Sequence, residues 1–76
     1  MYKTSEERIA EFIFSYVKEH GTKNDGLYSI KNNLTHLDIA NLTNTSRQTV
    51  NNVISILRKR GMIEYSRKLI SIPLDN

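Results

Sequence analysis

With 38% hydrophobic and 25% charged side chains, a chain of 76 residues has the make-up of an ordinary soluble domain. A domain of this length buries only about 60% of its unfolded surface, so it holds one small core and no deep active-site cavity. The absence of cysteine excludes a disulfide framework and a cysteine-based zinc site, and the short apolar runs and missing signal-peptide pattern point to a cytoplasmic protein.

The net charge of +3 is unevenly spread. Up to Asn44 the chain carries a slight acidic excess, whereas from Thr45 to Ile72 the basic residues Arg47, Arg58, Lys59, Arg60, Arg67 and Lys68 face a single acid, Glu64. The positive field belongs to the second half, and a polyanion such as nucleic acid is its natural partner.

In chain order, Thr4 and Glu7 have capping-box spacing, with Ser5 as the alternative cap, and a first helix is expected over about 5–20. Ile9, Phe12, Ile13, Tyr16 and Val17 recur at helical spacing as its core stripe, and Gly21 reads as a left-handed stop. Phe14 lies off that stripe, on a ridge that either meets a missing partner or closes the edge of the core. Thr22–Gly26 reads as a turn-rich connection, and Leu27–Ile30 as a short strand interrupted by Lys31, Asn32 and Asn33. His20 and His36 fall on separate elements without carboxylates at metal-ligand spacing, so surface or cap-adjacent roles are expected, with no metal and no cofactor.

The segment from about 35 to 60 reads as two helices joined by a tight turn. Thr35 and Asp38 open the first, whose apolar members are Leu37, Ile39, Ala40 and Leu42. Ala40 is small enough for a close helix crossing, and Asn44 is the residue expected in the left-handed turn conformation. Thr45 or Ser46 caps the second helix, Thr45 and Gln48 spelling another capping box. Val50, Val53, Ile54 and Leu57 form its buried stripe, and Arg47, Gln48, Asn51, Asn52, Ser55 and Arg58 occupy the opposite face.

That polar face carries the functional signal. An arginine fork matches the two major-groove acceptors of guanine, and Gln or Asn pairs bidentately with adenine. Arg47, Gln48, Asn51 and Asn52 therefore stand as candidate base readers at the helix end that enters the groove in helix-turn-helix proteins. Ser46, Thr49 and the helix amides suit phosphate, with Arg58 and the basic Arg67 and Lys68 extending the expected backbone contacts. Glu and Lys usually serve to keep a surface helix soluble, and Asn is a poor helix former, so paired asparagines favour recognition over solubility. After Gly61, the segments Met62–Tyr65 and Leu69–Ile72 flank Ser66, Arg67 and Lys68 as a hairpin wing over about 62–72, stopped by Pro73 and followed by a frayed tail, Leu74–Asn76.

From about Ser5 to Ile72 the sequence resembles the C-terminal DNA-binding domain of the Crp/Fnr family of bacterial transcription regulators. The run Thr45-Ser46-Arg47-Gln48-Thr49-Val50, the apolar helix, and then Gly61-Met62-Ile63 with the wing strands carry the likeness. It implies an α+β, mainly α fold: a winged helix-turn-helix of three helices, a small antiparallel sheet and a C-terminal β-hairpin wing. It also implies base contacts at Arg47, Gln48, Asn51 and Asn52, and phosphate contacts at Ser46, Thr49 and Thr35. The family usually places Glu at the position of Gln48 and often Arg at that of Asn52, so its familiar half-sites do not transfer. Asn44 replaces a common turn glycine, and Arg67 a common wing glycine. The family's N-terminal sensor barrel and dimerisation helix have no counterpart in these 76 residues, and a homodimer is expected in the full-length regulator, with a monomer as the alternative for these residues alone. The competing reading is a winged-helix protein-interaction module. Its docking face would carry larger apolar anchors than this Arg/Gln/Asn surface. No catalytic constellation is apparent, and an enzyme is not expected.

Overall fold

The computed structural model describes residues 3–74. Helix α1 spans Ser5–His20, followed by β1 (Thr22–Asn24), β2 (Leu27–Lys31), α2 (His36–Thr43), α3 (Arg47–Lys59), β3 (Glu64–Tyr65) and β4 (Leu69–Pro73). The strands form one antiparallel sheet in the order β1-β2-β4-β3. This is the expected winged helix-turn-helix, with the C-terminal hairpin β3–β4 joined to the rest through β2.

Each helix starts where a side-chain cap satisfies its free amides. Thr4 and Glu7 make a full capping box on α1, and Thr35 and Asp38 make one on α2. On α3 the cap is Ser46, whose hydroxyl accepts from Thr49 N at 3.1 Å and shares a 2.8 Å hydrogen bond with the Thr49 hydroxyl. The Thr45/Gln48 capping box does not form, because Thr45 turns back and shares a hydrogen bond with the Thr43 hydroxyl at 2.9 Å.

The core gathers Ile9, Ile13 and Val17 from α1, Ile39 and Ala40 from α2, and Val50, Val53, Ile54 and Leu57 from α3, with Ile63, Ile70 and Ile72 beneath them. Phe12 and Tyr16 do not complete the α1 stripe as expected. They flank it, only partly buried, with rings stacked at 5.8 Å. Phe14 packs against the core edge, the second of its two expected roles. On α2, Leu37 and Leu42 are 52% and 62% exposed, so only Ile39 and Ala40 among its expected apolar members reach the core. A helix of eight residues has two turns, too few to bury more than one narrow stripe.

Three expectations about the backbone are corrected. Gly21 is extended (φ −88°), not left-handed, and a Cβ there would lie 2.5 Å from both the Val17 and Ser29 carbonyl oxygens; glycine is needed for the close approach of α1 to β2. The supposed connection Thr22–Gly26 contains strand β1, closed by Asp25 and Gly26, both at positive φ as a type I′ hairpin turn requires. All three β1 residues are exposed, so no hydrophobic alternation marked it. The strand expected over Met62–Tyr65 shortens to Glu64–Tyr65, because Met62 N is taken by the Leu57 carbonyl in the stop of α3.

At the C-terminus, Pro73 is the last residue of β4, opposite Leu27, instead of lying beyond the strand. Leu74 is tied down by a 2.9 Å bond from its amide to the Gly26 carbonyl, against the expectation of fraying; the remainder of that tail, residues 75 and 76, lies outside the described residues.

Candidate nucleic-acid interface

The site is built on a turn held from three sides. Asn44 adopts the left-handed conformation (φ 57°, ψ 49°), as its type suggested, and Thr45 N reaches back to the Ala40 carbonyl at 2.9 Å. The buried Thr43 hydroxyl donates to the Ile39 carbonyl at 2.7 Å. From α1, Arg8 donates to the carbonyls of Thr43 and Asn44 at 3.2 and 3.3 Å. The last turn of α2 has no basic residue of its own, so Arg8 supplies the positive charge that favours a helix C-terminus. The partners of Arg8 lie 35 and 36 residues away, beyond any local sequence pattern.

This turn projects α3. Its apolar residues Val50, Val53, Ile54 and Leu57 are buried, and Arg47, Gln48, Asn51, Asn52, Ser55 and Arg58 are exposed on the other side. Gln48 Nε2 donates to Asn52 Oδ1 at 3.4 Å, one turn along. Both α1 and α2 carry acids in their first turn, but α3 carries none. The partial positive charge at its N-terminus is therefore left unneutralised by the chain itself, the condition that favours an external anion. At the other end, Gly61 (φ 71°) closes α3: its amide bonds to the Arg58 carbonyl at 3.0 Å, and Met62 N bonds to Leu57 O at 2.9 Å.

The wing stands beside this helix. Its tip is organised by Ser66, whose hydroxyl oxygen accepts from Lys68 N and Leu69 N at 3.2 and 3.1 Å, while Ser66 N donates to the Leu69 carbonyl. Arg67 sits in this turn without positive φ, so the arginine at a common glycine position fits unstrained. Arg67 and Lys68 are exposed. Asn32, expected only to interrupt a strand, instead carries the ladder on to the wing: its amide donates to the Lys68 carbonyl at 2.9 Å, and its side chain donates to the Ser66 carbonyl at 2.8 Å.

Between the wing, α3 and the entry to α2 runs an open cleft of about 910 Å³, with Thr35, Arg58, Arg67 and Lys68 on its walls. His36 and Tyr65 also line it, with ring centroids 5.7 Å apart, and His36 Nδ1 is hydrogen-bonded to Asn51 Oδ1. The Tyr65 hydroxyl is buried without a well-formed hydrogen bond; that burial raises its pKa above the ordinary 10.0, an effect the nearby Asn32 side chain offsets in part.

Thus Thr35, Arg58, Arg67 and Lys68 converge on one cleft. Arg47, Gln48, Asn51 and Asn52 share the exposed face of α3, and Ser46 and Thr49 stand at its start. The arrangement defines a winged helix-turn-helix domain of the DNA-binding class. More narrowly, the chain belongs to the Crp-like helix-turn-helix domain family, whose model matches residues 7–74. It is thereby a DNA-binding domain of the type found in Crp/Fnr-family transcription regulators.

Among solved structures, reduced CprK without ligand is similar over 95% of this chain and 35% of its own, at 18% identity and a TM-score of 0.83. Oxidized CprK in complex with o-chlorophenolacetic acid is similar over 91% of this chain and 29% of its own, at 19% identity and a TM-score of 0.81. The 76 residues thus span about a third of the length of these CprK chains. No curated protein matches the chain in sequence.

Proposed function

We propose that the chain binds double-stranded DNA in a sequence-specific manner, with α3 in the major groove. Arg47, Gln48, Asn51 and Asn52 read base edges, and Thr35, Ser46, Thr49, Arg58, Arg67 and Lys68 meet the phosphate backbone. The observation that carries this reading is the exposed face of α3, a continuous row of base-matching polar side chains behind an acid-free helix N-terminus. A protein-docking module would present apolar anchors there; these six residues are all polar, and the exposed apolar residue of α3, Ile56, lies beside them in the C-terminal half of the helix, away from the candidate base readers. Operation in the cytoplasm, as a homodimer in the full-length regulator and as a monomer for these 76 residues alone, without catalytic activity, belongs to the same reading.

The test is selection of sites from random duplex DNA, followed by Arg47→Ala and Gln48→Ala on the selected site. Each loss is expected to cost roughly 1 to 3 kcal/mol on that site and to relax the preference at one base pair. Equal losses on selected and random DNA would remove the base-reading role.

A further inference from the structure

The exposed face of α3 is not uniformly free. Of its four candidate base readers, Asn51 alone is tied to another element: its Oδ1 is hydrogen-bonded to Nδ1 of His36, the first residue of α2. An amide oxygen only accepts, so Nδ1 is the donor in this pair. His36 is in turn backed by the Tyr65 ring on the wing strand β3, at 5.7 Å between centroids. The Thr35 capping box fixes the backbone from which His36 projects, through Thr35 N to Asp38 Oδ2 at 2.8 Å and Asp38 N to Thr35 Oγ1 at 3.0 Å. A half-buried imidazole packed on an aromatic ring, on a capped helix start, has little freedom to turn away.

From this geometry we infer that His36 is a positioning residue for specificity: it holds the Asn51 amide in one orientation, and thereby decides to which base edge Asn51 donates. This rests on the DNA-reading role of α3 proposed above. A free asparagine offers a donor and an acceptor side by side, the pattern that matches adenine. With Oδ1 engaged by His36, the group left fully available is the Nδ2 donor pair. The preference at that base pair then shifts towards acceptor edges, O6 and N7 of guanine or O4 of thymine. The link through Tyr65 also makes the wing a support for base reading, in addition to its contact with phosphate.

The test compares base-preference profiles, measured by selection from a random duplex library, for the 76-residue chain and its His36→Ala, His36→Gln, Asn51→Ala and His36→Ala/Asn51→Ala variants. Thermal unfolding of each variant establishes that it is folded. His36→Ala is expected to move the preference at one base pair from guanine or thymine towards adenine, by about tenfold in their ratio, at the same pair that Asn51→Ala flattens. The double variant is expected to be no worse there than Asn51→Ala alone. His36→Gln, whose amide still donates, is expected to restore part of the preference.

A uniform loss on all sequences for His36→Ala, a change at a different base pair, or additive effects in the double variant would overturn the inference while leaving base reading by α3 intact. A parent chain with no base preference at all would overturn both, and Arg47→Ala on the selected site tells the two failures apart.

Discussion

At the scale of single residues, three positions test how the chain meets local cost. The Tyr65 hydroxyl is buried with no well-formed partner, and an unmet buried hydroxyl costs on the order of 1 kcal/mol or more. Tyr65→Phe keeps the ring against His36, so it is expected to leave stability unchanged or raise it by about 1 kcal/mol in urea unfolding. The same substitution has a pH signature. Burial raises the folded-state pKa above the unfolded value near 10.0, so the unfolded chain loses this proton first as pH rises. The contribution is fully present below that value and is lost as pH climbs through the folded pKa; wild type should lose stability relative to Tyr65→Phe above about pH 10. Gly21 and Gly61 give the second test. At Gly61 the φ of 71° disfavours a side chain, but the space is open, and Gly61→Ala should cost about 1 kcal/mol. Gly21→Ala drives a Cβ into two backbone carbonyls and should cost on the order of 3 kcal/mol by the same measurement, although its φ is ordinary.

At the scale of elements, what could be read from the sequence follows from where the determining contacts lie. Helices α1 and α3 were legible because their caps and apolar stripes fall within a few residues of one another, and Asn44 because positive φ selects few residue types. Strand β1 was missed because an exposed edge strand carries no apolar alternation; its one signal was the Asp25-Gly26 pair. The roles of Asn32, Arg8 and His36 were hidden for a different reason, since each acts on an element distant in sequence. Within the candidate interface, the face of α3 could be read residue by residue, whereas the cleft joining it to the wing could not. The wing itself has a separable role. Arg67 and Lys68 stand exposed on a turn fixed by backbone and Ser66 contacts, with no side-chain bond of their own among the described residues. Arg67→Ala or Lys68→Ala should therefore weaken binding about equally on all duplexes. Each should also reduce the slope of log affinity against log salt by about 1, the value expected for one lost phosphate contact.

At the scale of the whole molecule, size constrains how two copies can share a DNA site. The domain measures 33 × 27 × 23 Å, and half-sites read by a helix-turn-helix dimer lie about 34 to 36 Å apart, one helical turn. On the DNA-reading role proposed above, two domains of this size would fit side by side on one face of the duplex, each placing one α3 in successive major grooves. A single copy has only one such helix, and its affinity rests on one set of contacts. Joining two copies by a flexible linker long enough to span the pair makes the second binding event intramolecular. On an inverted repeat of the selected half-site, with centres one turn apart, the linked pair should bind about 100- to 10,000-fold more tightly than the single domain. Inserting five base pairs between the half-sites turns the second groove to the opposite face of the duplex, and the gain should largely disappear. Titration of both duplexes, with the single and linked proteins at one fixed salt concentration, measures this directly. An equal gain on both spacings would show that linkage only raises general attraction to DNA, and would rule out paired half-site reading.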